Sequence, residues 1–264
     1  MELVVNNLSM NFSELGKGLP VLFIHGYPLS QRIWEPQLEG LSDRFKIVTP
    51  DLRGHGKSQA VPGPYSMEML ADDLAALLDA LEIHQKVVVC GLSMGGYVAM
   101  AFYRKHAARM KALILTATRA ADDTPQARAG RDATAETARL SGIAPVVEGM
   151  LPKMFARDTL LANEHLVNQV KSIMMSISLE GVLGDLQGMR DRLDSRTMLN
   201  GIGIPTLVVH GMEDQIIPTQ EAIDMQKAIP GAQLELIPES GHLVNLERPN
   251  EFNEVVRKFL SELN

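Results

Sequence analysis

A single cysteine, Cys90, stands in the 264-residue chain, so no internal disulfide can form and the composition fits a reducing compartment. It closes the apolar run Val87-Val88-Val89-Cys90 and is expected to be a small buried hydrophobe. No stretch approaches the ~20 apolar residues that a membrane helix needs. No basic segment followed by an apolar one opens the chain, so a secretory signal is not visible and a cytoplasmic location is expected. Basic clusters are missing as well. Lys and Arg number 25 against 32 Asp and Glu, a net charge of −7, with the basic residues scattered singly or in pairs. A phosphate backbone would be repelled by such a chain, which argues against a nucleic-acid partner. Internal repeats and low-complexity tracts do not stand out.

What is present is an alternation of short apolar strands and amphipathic helices, the pattern of an α/β protein with a mainly parallel sheet covered on both faces. The strand candidates are residues 21–24, 46–49, 87–90, 112–115, 206–209 and 234–237. The first five are nearly continuous apolar runs, as strands buried on both faces should be. Glu235 interrupts the sixth and suits a position nearer the edge. Segments around Leu3–Val5 and Met10–Leu15 alternate more and read as an antiparallel edge hairpin, bringing the strands to eight. Two helices are clear. Met67, Leu70, Leu74, Leu77, Leu78 and Leu81 recur at helical spacing behind Ser66, a candidate N-cap, and Pro249 opens a helix with a stripe from Phe252 to Leu263. From about Ala121 to Leu199 no strand-like run occurs. This predicts a core of residues 1–120 and 200–264 and a helical cap at 121–199. Its methionines (Met150, Met154, Met174, Met175, Met189, Met198) either fill an irregular core or contact substrate.

The segment Gly91-Leu92-Ser93-Met94-Gly95 follows a strand and opens a helix, the setting in which G-x-S-x-G carries a nucleophile. A serine hydroxyl is a weak nucleophile and must be exposed beside a base. A sharp strand-to-helix turn exposes it by straining its backbone, and glycine on either side removes the side chains that would collide. For the base, His242 lies after the last strand and before the last helix, at the sheet edge where open α/β folds place ligands. His84, His106 and His165 sit among polar neighbours and read as solvated. His25, His55 and His210 lie beside glycines in strand-end loops and are expected to hold those loops by hydrogen bonds. A carboxylate must fix the imidazole tautomer. Asp214 follows the strand at 206–209 and has the chain order Ser, Asp, His, with Glu213 a near rival and Asp122 or Asp123 a weaker alternative. An oxyanion needs fixed donors. The backbone N–H of Met94 is one, and that of Tyr27 in His25-Gly26-Tyr27-Pro28 is the other, Pro28 having no N–H.

With these segments assembled, the chain resembles the α/β-hydrolase family over essentially its whole length. The residues that carry the resemblance are His25-Gly26-Tyr27, Asp51-Leu52-Arg53-Gly54-His55-Gly56-Lys57-Ser58, Gly91 to Gly95, His210-Gly211 leading to Asp214 and Pro218, and Gly241-His242. Within the family it looks most like small bacterial carboxylesterases and enol-lactonases such as 3-oxoadipate enol-lactonase. The resemblance implies the α/β-hydrolase fold with an inserted helical cap, a Ser93–His242–Asp214 triad and a structural role for the 51–58 loop. Serine at position 93 argues against the epoxide hydrolases and haloalkane dehalogenases, whose turn carries aspartate.

The function expected is hydrolysis of esters or lactones of small to medium, mostly apolar substrates through an acyl-enzyme on Ser93, with no metal or organic cofactor. Carbon–carbon bond hydrolases, hydroxynitrile lyases and perhydrolases share the serine and stay open, as does a ligand-binding protein that has lost catalysis. Met150, Met154 and Leu243 are the substrate-contact candidates. Arg119, Arg128, Arg131 and Arg139 either lie in solvent or greet a substrate carboxylate.

Overall fold

Every apolar run read from the sequence is a strand in the computed structural model, which describes residues 1–263. The strands are β1 (Glu2–Val5), β2 (Leu8–Leu15), β3 (Leu19–Ile24), β4 (Phe45–Pro50), β5 (Val87–Leu92), β6 (Met110–Thr116), β7 (Thr206–Gly211) and β8 (Gln233–Ile237). They form one sheet in the order β1-β2-β4-β3-β5-β6-β7-β8. The pairs β1/β2 and β2/β4 are antiparallel, and β4, β3, β5, β6, β7 and β8 run parallel. The expected edge hairpin is β1–β2, and the strand interrupted by Glu235 is the opposite edge.

Successive strand residues point to opposite faces, and the core divides accordingly. Leu22, Ile24, Val87, Val89, Leu113 and Leu115 face one layer of helices. Val21, Phe23, Val88, Cys90, Ile114 and Val209 face the other. Cys90 is thus a core residue. Burial pushes its thiol pKa up, which keeps it protonated. The helix Met67–Ala80 starts where Ser66 accepts from the Met69 N–H at 3.1 Å, and the helix Pro249–Ser261 buries Phe252, Val256, Phe259 and Leu260.

Because β3 to β8 are parallel, the loops leaving them emerge along one edge, and helices alone fill the stretch between β6 and β7. This insertion is tied to that edge by named bonds. Ser178 Oγ donates to the Gly54 carbonyl (2.8 Å), Gln215 Nε2 to the Phe155 carbonyl (3.1 Å), and Leu243 N–H to the Met154 carbonyl (3.1 Å). His55 Nε2 and Asp185 Oδ2 lie 2.9 Å apart with both side chains fully buried, joining the 51–58 loop to the helix Leu179–Arg190. Burial disfavours the His55 cation, but Asp185 beside it outweighs burial and raises its pKa. Among the described residues no helix is long and apolar enough to cross a membrane.

A second buried cluster holds the insertion together. The Asp123 carboxylate has no exposure and takes a two-pronged contact from Arg131, Arg192 Nη1 at 2.6 Å and Arg119 Nη2 at 3.8 Å. Arg192 also donates to the Met189 and Ala121 carbonyls and lies over the Tyr97 ring at 4.2 Å. The four arginines for which solvent and a substrate carboxylate were the alternatives therefore divide. Arg128 and Arg139 pair near the surface with Asp122 and Glu136, whereas Arg119 and Arg131 are drawn inward by Asp123. His106, expected to be solvated, pairs with Asp72 at 2.9 Å.

Burial alone would raise the Asp123 pKa, but Arg131 and Arg192 reverse that and hold it below the usual carboxylate range. The pairing is therefore complete above the unfolded-state value of about 3.9 and is lost as pH falls through the lower folded-state value. Asp123→Asn should destabilise the fold at pH 7 by about 3–5 kcal/mol, the usual cost of breaking one partner of a buried pair. The deficit relative to wild type should shrink between pH 7 and pH 3, because below about 3.9 the unfolded chain takes up a proton that folded Asp123 resists. Urea unfolding of both proteins at the two pH values checks this; a deficit independent of pH would contradict it.

Candidate active site

Ser93 occupies the turn between β5 and the helix Met94–His106 with φ 57° and ψ −115°, a conformation that non-glycine residues rarely adopt. The strain persists because the surroundings leave no alternative. A Cβ at Gly91 would run into the Gly95 carbonyl, and one at Gly95 into the carbonyls of Ile24 and His25. The Ser93 carbonyl is held by the Thr118 hydroxyl at 2.7 Å, and its N–H donates to the Thr116 carbonyl at 2.9 Å. Thr118 belongs to no motif and was not legible as a site residue; its partner lies 25 positions away.

Asp214 is placed by β7 and by a turn of its own making. Its Oδ1 accepts the N–H groups of Ile216 (2.8 Å) and Ile217 (3.0 Å), leaving Oδ2 2.8 Å from His242 Nδ1. Burial opposes its charge, but His242 and the two backbone donors keep its pKa below the ordinary value. Glu213 is exposed, and of the two neighbours it is Asp214 that reaches His242. Asp122 and Asp123 are committed to arginines. His242 has no exposure, and its Nε2 is buried without a hydrogen bond to protein.

The loop that carries His242 is itself pinned. Glu247 accepts the N–H of Gly241 at 2.7 Å and that of Ala156, in the insertion, at 2.8 Å. The sequence offered no signal for Glu247, which lies in the final helical region among other charges. The remaining strand-end histidines act as loop braces. His25 Nδ1 donates to the Gly26 carbonyl, its Nε2 accepts the Leu52 N–H, and its ring lies 4.7 Å from that of His55. Burial and the neighbouring His55 lower the His25 pKa to about 3, so it is neutral. His210 Nε2 donates to the Ile217 carbonyl at 3.0 Å, and burial lowers its pKa.

The segments that carry the two oxyanion candidates border Ser93. A Cβ on Gly26 would lie 3.1 Å from Ser93 Cβ, so the His25–Tyr27 loop abuts the serine. Met94 is the first residue of its helix, where N–H groups lack intrahelical acceptors. A cavity of about 640 Å³ adjoins the site, bounded by Tyr27 and by Gln215 and Ile216 just beyond Asp214. Met150 lines it. Met154 and Leu243 do not: both are fully buried and pack in the core, joined by a backbone hydrogen bond. Met175 is exposed, but Met174 and Met189 are buried like Met154, so half of the six methionines fill space. With them turned inward, the wall is more polar than expected, presenting Arg131, Thr134, Thr137 and Lys153 beside Val146 and Leu186.

Sheet order, the Ser93 turn and the Asp214–His242 pair together define an α/β-hydrolase, and a profile of the alpha/beta hydrolase fold matches residues 20–249. The chain belongs to this family. A thermophilic esterase from Thermogutta terrifontis has the same fold at a TM-score of 0.96 and 38% identity, covering 100% of this chain and 98% of that one. A 3-oxoadipate enol-lactonase from Acinetobacter baylyi is 26% identical over 99% of this chain and 97% of its own length. A 2-hydroxymuconate semialdehyde hydrolase from Pseudomonas putida is 28% identical over 99% and 94%.

Asp214→Asn should lower turnover of a hydrolysed ester by roughly 10⁴-fold, because the amide no longer enforces the imidazole tautomer. Glu213→Gln should change it less than about threefold, as expected for an exposed neighbour. Steady-state kinetics of the two variants give the comparison, and equal losses would reverse the assignment of the acid.

Proposed function

We propose that this protein hydrolyses esters or lactones of small carboxylic acids through an acyl-enzyme on Ser93. The observation that carries this reading is the imidazole of His242. One nitrogen is locked on a buried carboxylate at 2.8 Å and the other is left without a protein partner, on the sheet edge that also presents a strained serine.

The steps follow from those positions. His242 Nδ1–H donates to Asp214, so Nε2 carries a lone pair and takes the Ser93 proton as Oγ attacks the acyl carbon. The carbonyl oxygen becomes negative and is met by the N–H groups of Tyr27 and Met94, each worth about 3 kcal/mol of barrier. His242 then gives its proton to the departing alkoxide. In the second half it takes a proton from water, whose oxygen attacks the acyl carbon, and then passes that proton to Ser93 Oγ as the acid departs. None of these steps calls for a metal or organic cofactor. The helical insertion at 121–199 serves as the cap: it supplies Met150, Arg131, Thr134 and Thr137 to a cavity whose floor includes Tyr27. At about 640 Å³ the cavity suits a small molecule.

A second reading has support in the 28% identity to a 2-hydroxymuconate semialdehyde hydrolase: the same residues would cleave a carbon–carbon bond next to a ketone. A panel of aryl esters of increasing acyl length, lactones and vinylogous diketones separates the two by which class is turned over.

Ser93→Ala should reduce ester hydrolysis by at least about 10³-fold while leaving the unfolding midpoint near wild type. A fluorophosphonate should label the wild type once per chain, at Ser93, and should not label the variant. Hydrolysis retained in the variant, or no labelling of the wild type, would overturn the acyl-enzyme reading.

A further inference from the structure

Tyr27 has so far entered only through its backbone, yet its side chain is the least explained polar group near the site. The residue is 5% exposed and lies on the cavity wall, and its hydroxyl is buried without a hydrogen-bond partner. A buried hydroxyl that lacks a partner is destabilising, so a native fold that keeps one invites a functional account. The neighbouring charged groups do not supply it. The Asp185 carboxylate is 2.9 Å from His55, and the Arg131 guanidinium is engaged by Asp123. Burial, reinforced by Asp185, pushes the phenol pKa up, so the group stays a neutral donor.

The cavity wall shows what kind of ligand would complete it. Its polar side chains are Tyr27, Arg131, Thr134, Thr137, Lys153 and Gln215, with no carboxylate among them. Thr134 and Thr137 spend their hydroxyl protons on the Gly130 and Ala133 carbonyls of their own helix, and Gln215 uses one amide proton on Phe155. The Tyr27 hydroxyl and the Lys153 ammonium are left to donate, and the two cations can only donate. Lys153 has no ion pair among the described residues. Such a wall is matched by a ligand that brings acceptor oxygens. Gly26, the residue before Tyr27, abuts Ser93, and the Tyr27 phenol ends on the cavity wall several bonds away from its own backbone N–H.

Building on the acyl-enzyme reading, we propose that Tyr27 is a specificity residue for substrates with two oxygen functions. Its N–H holds the scissile carbonyl, and its hydroxyl donates to a second, carbonyl-type oxygen elsewhere in the substrate. The chemical class is an oxo-substituted ester or lactone rather than a plain alkyl ester.

Tyr27→Phe tests this, because it removes the hydroxyl and keeps the backbone donor and the ring. The readout is a ratio within each enzyme, in which any general change at the oxyanion site cancels. For the wild type, kcat/KM for 4-nitrophenyl 4-oxopentanoate should exceed that for 4-nitrophenyl pentanoate, and 3-oxobutyl acetate against butyl acetate probes the alcohol side in the same way. In at least one pair the wild-type preference should fall about tenfold in Tyr27→Phe, the effect of losing one well-placed hydrogen bond. The same ratio in both enzymes for both pairs would overturn the proposal. Pentanoate hydrolysis and Ser93 labelling report on the acyl-enzyme separately, so their success with an unchanged ratio sinks only the Tyr27 inference. Calorimetric binding of 4-oxopentanoate against pentanoate extends the test to conditions without turnover: wild type should favour the oxo acid and Tyr27→Phe should not, and equal discrimination would again count against it.

Discussion

Backbone crowding around Ser93 is the constraint on which the rest of the molecule turns. The residue sits at φ 57° because β5 must stop and a helix must start within one residue. Strain of this kind costs about 1–3 kcal/mol and survives only where packing over-determines it. Here the packing is backbone on backbone: Gly91 against Gly95, and Gly95 against the end of β3. That contact seats the His25–Tyr27 loop against the serine, so one steric arrangement positions both the candidate nucleophile and the loop beside it. Thr118, reaching from the end of β6 to the Ser93 carbonyl, fixes the turn from the other side.

Charge does for the insertion what crowding does for the turn. Two buried acids, Asp123 and Asp185, are each met by a basic group from a distant part of the chain, Arg192 and His55 respectively. Burying these groups is unfavourable unless every one is paired, which makes them better suited to defining a unique arrangement than to adding stability. Asp185 locates the helix Leu179–Arg190 on the 51–58 loop. Behind that loop, His55 lies against His25, whose ring braces the peptide next to Tyr27. A continuous chain of contacts therefore runs from the insertion to the residue beside the nucleophile.

The parts legible in the sequence were those set by local pattern. Apolar runs became strands because strands buried on both faces need them, and the Ser93 turn was readable because its glycines are obligatory within five residues. Asp214 was separable from Glu213 only in part, since both follow β7; the Asx-type turn onto Ile216 and Ile217, which aims Asp214 at His242, exists only in the folded chain. Three-dimensional partnerships stayed hidden. Arg131 and Arg139 look alike in the sequence, yet one is drawn in by Asp123 and the other pairs at the surface with Glu136. Met150 and Met154 lie four apart, and only the first faces the cavity, because the chain changes from an α-helix to a 3-10 turn between them. Glu247, Thr118 and Asp185 carry no motif, as their partners lie far away in the chain.

Glu247 has a consequence for how a substrate would enter. Its carboxylate grips the peptide before His242 with one oxygen and the Ala156 peptide of the insertion with the other. Rotation of the insertion about its middle would pull on that carboxylate and disturb the loop bearing the imidazole. The helices Pro125–Ser141 and Ala144–Met150, which form the cavity's outer wall, have no such tether to that loop among the described residues. A substrate entering past those helices would not load the Glu247 contact, so the imidazole and its carboxylate would keep their places.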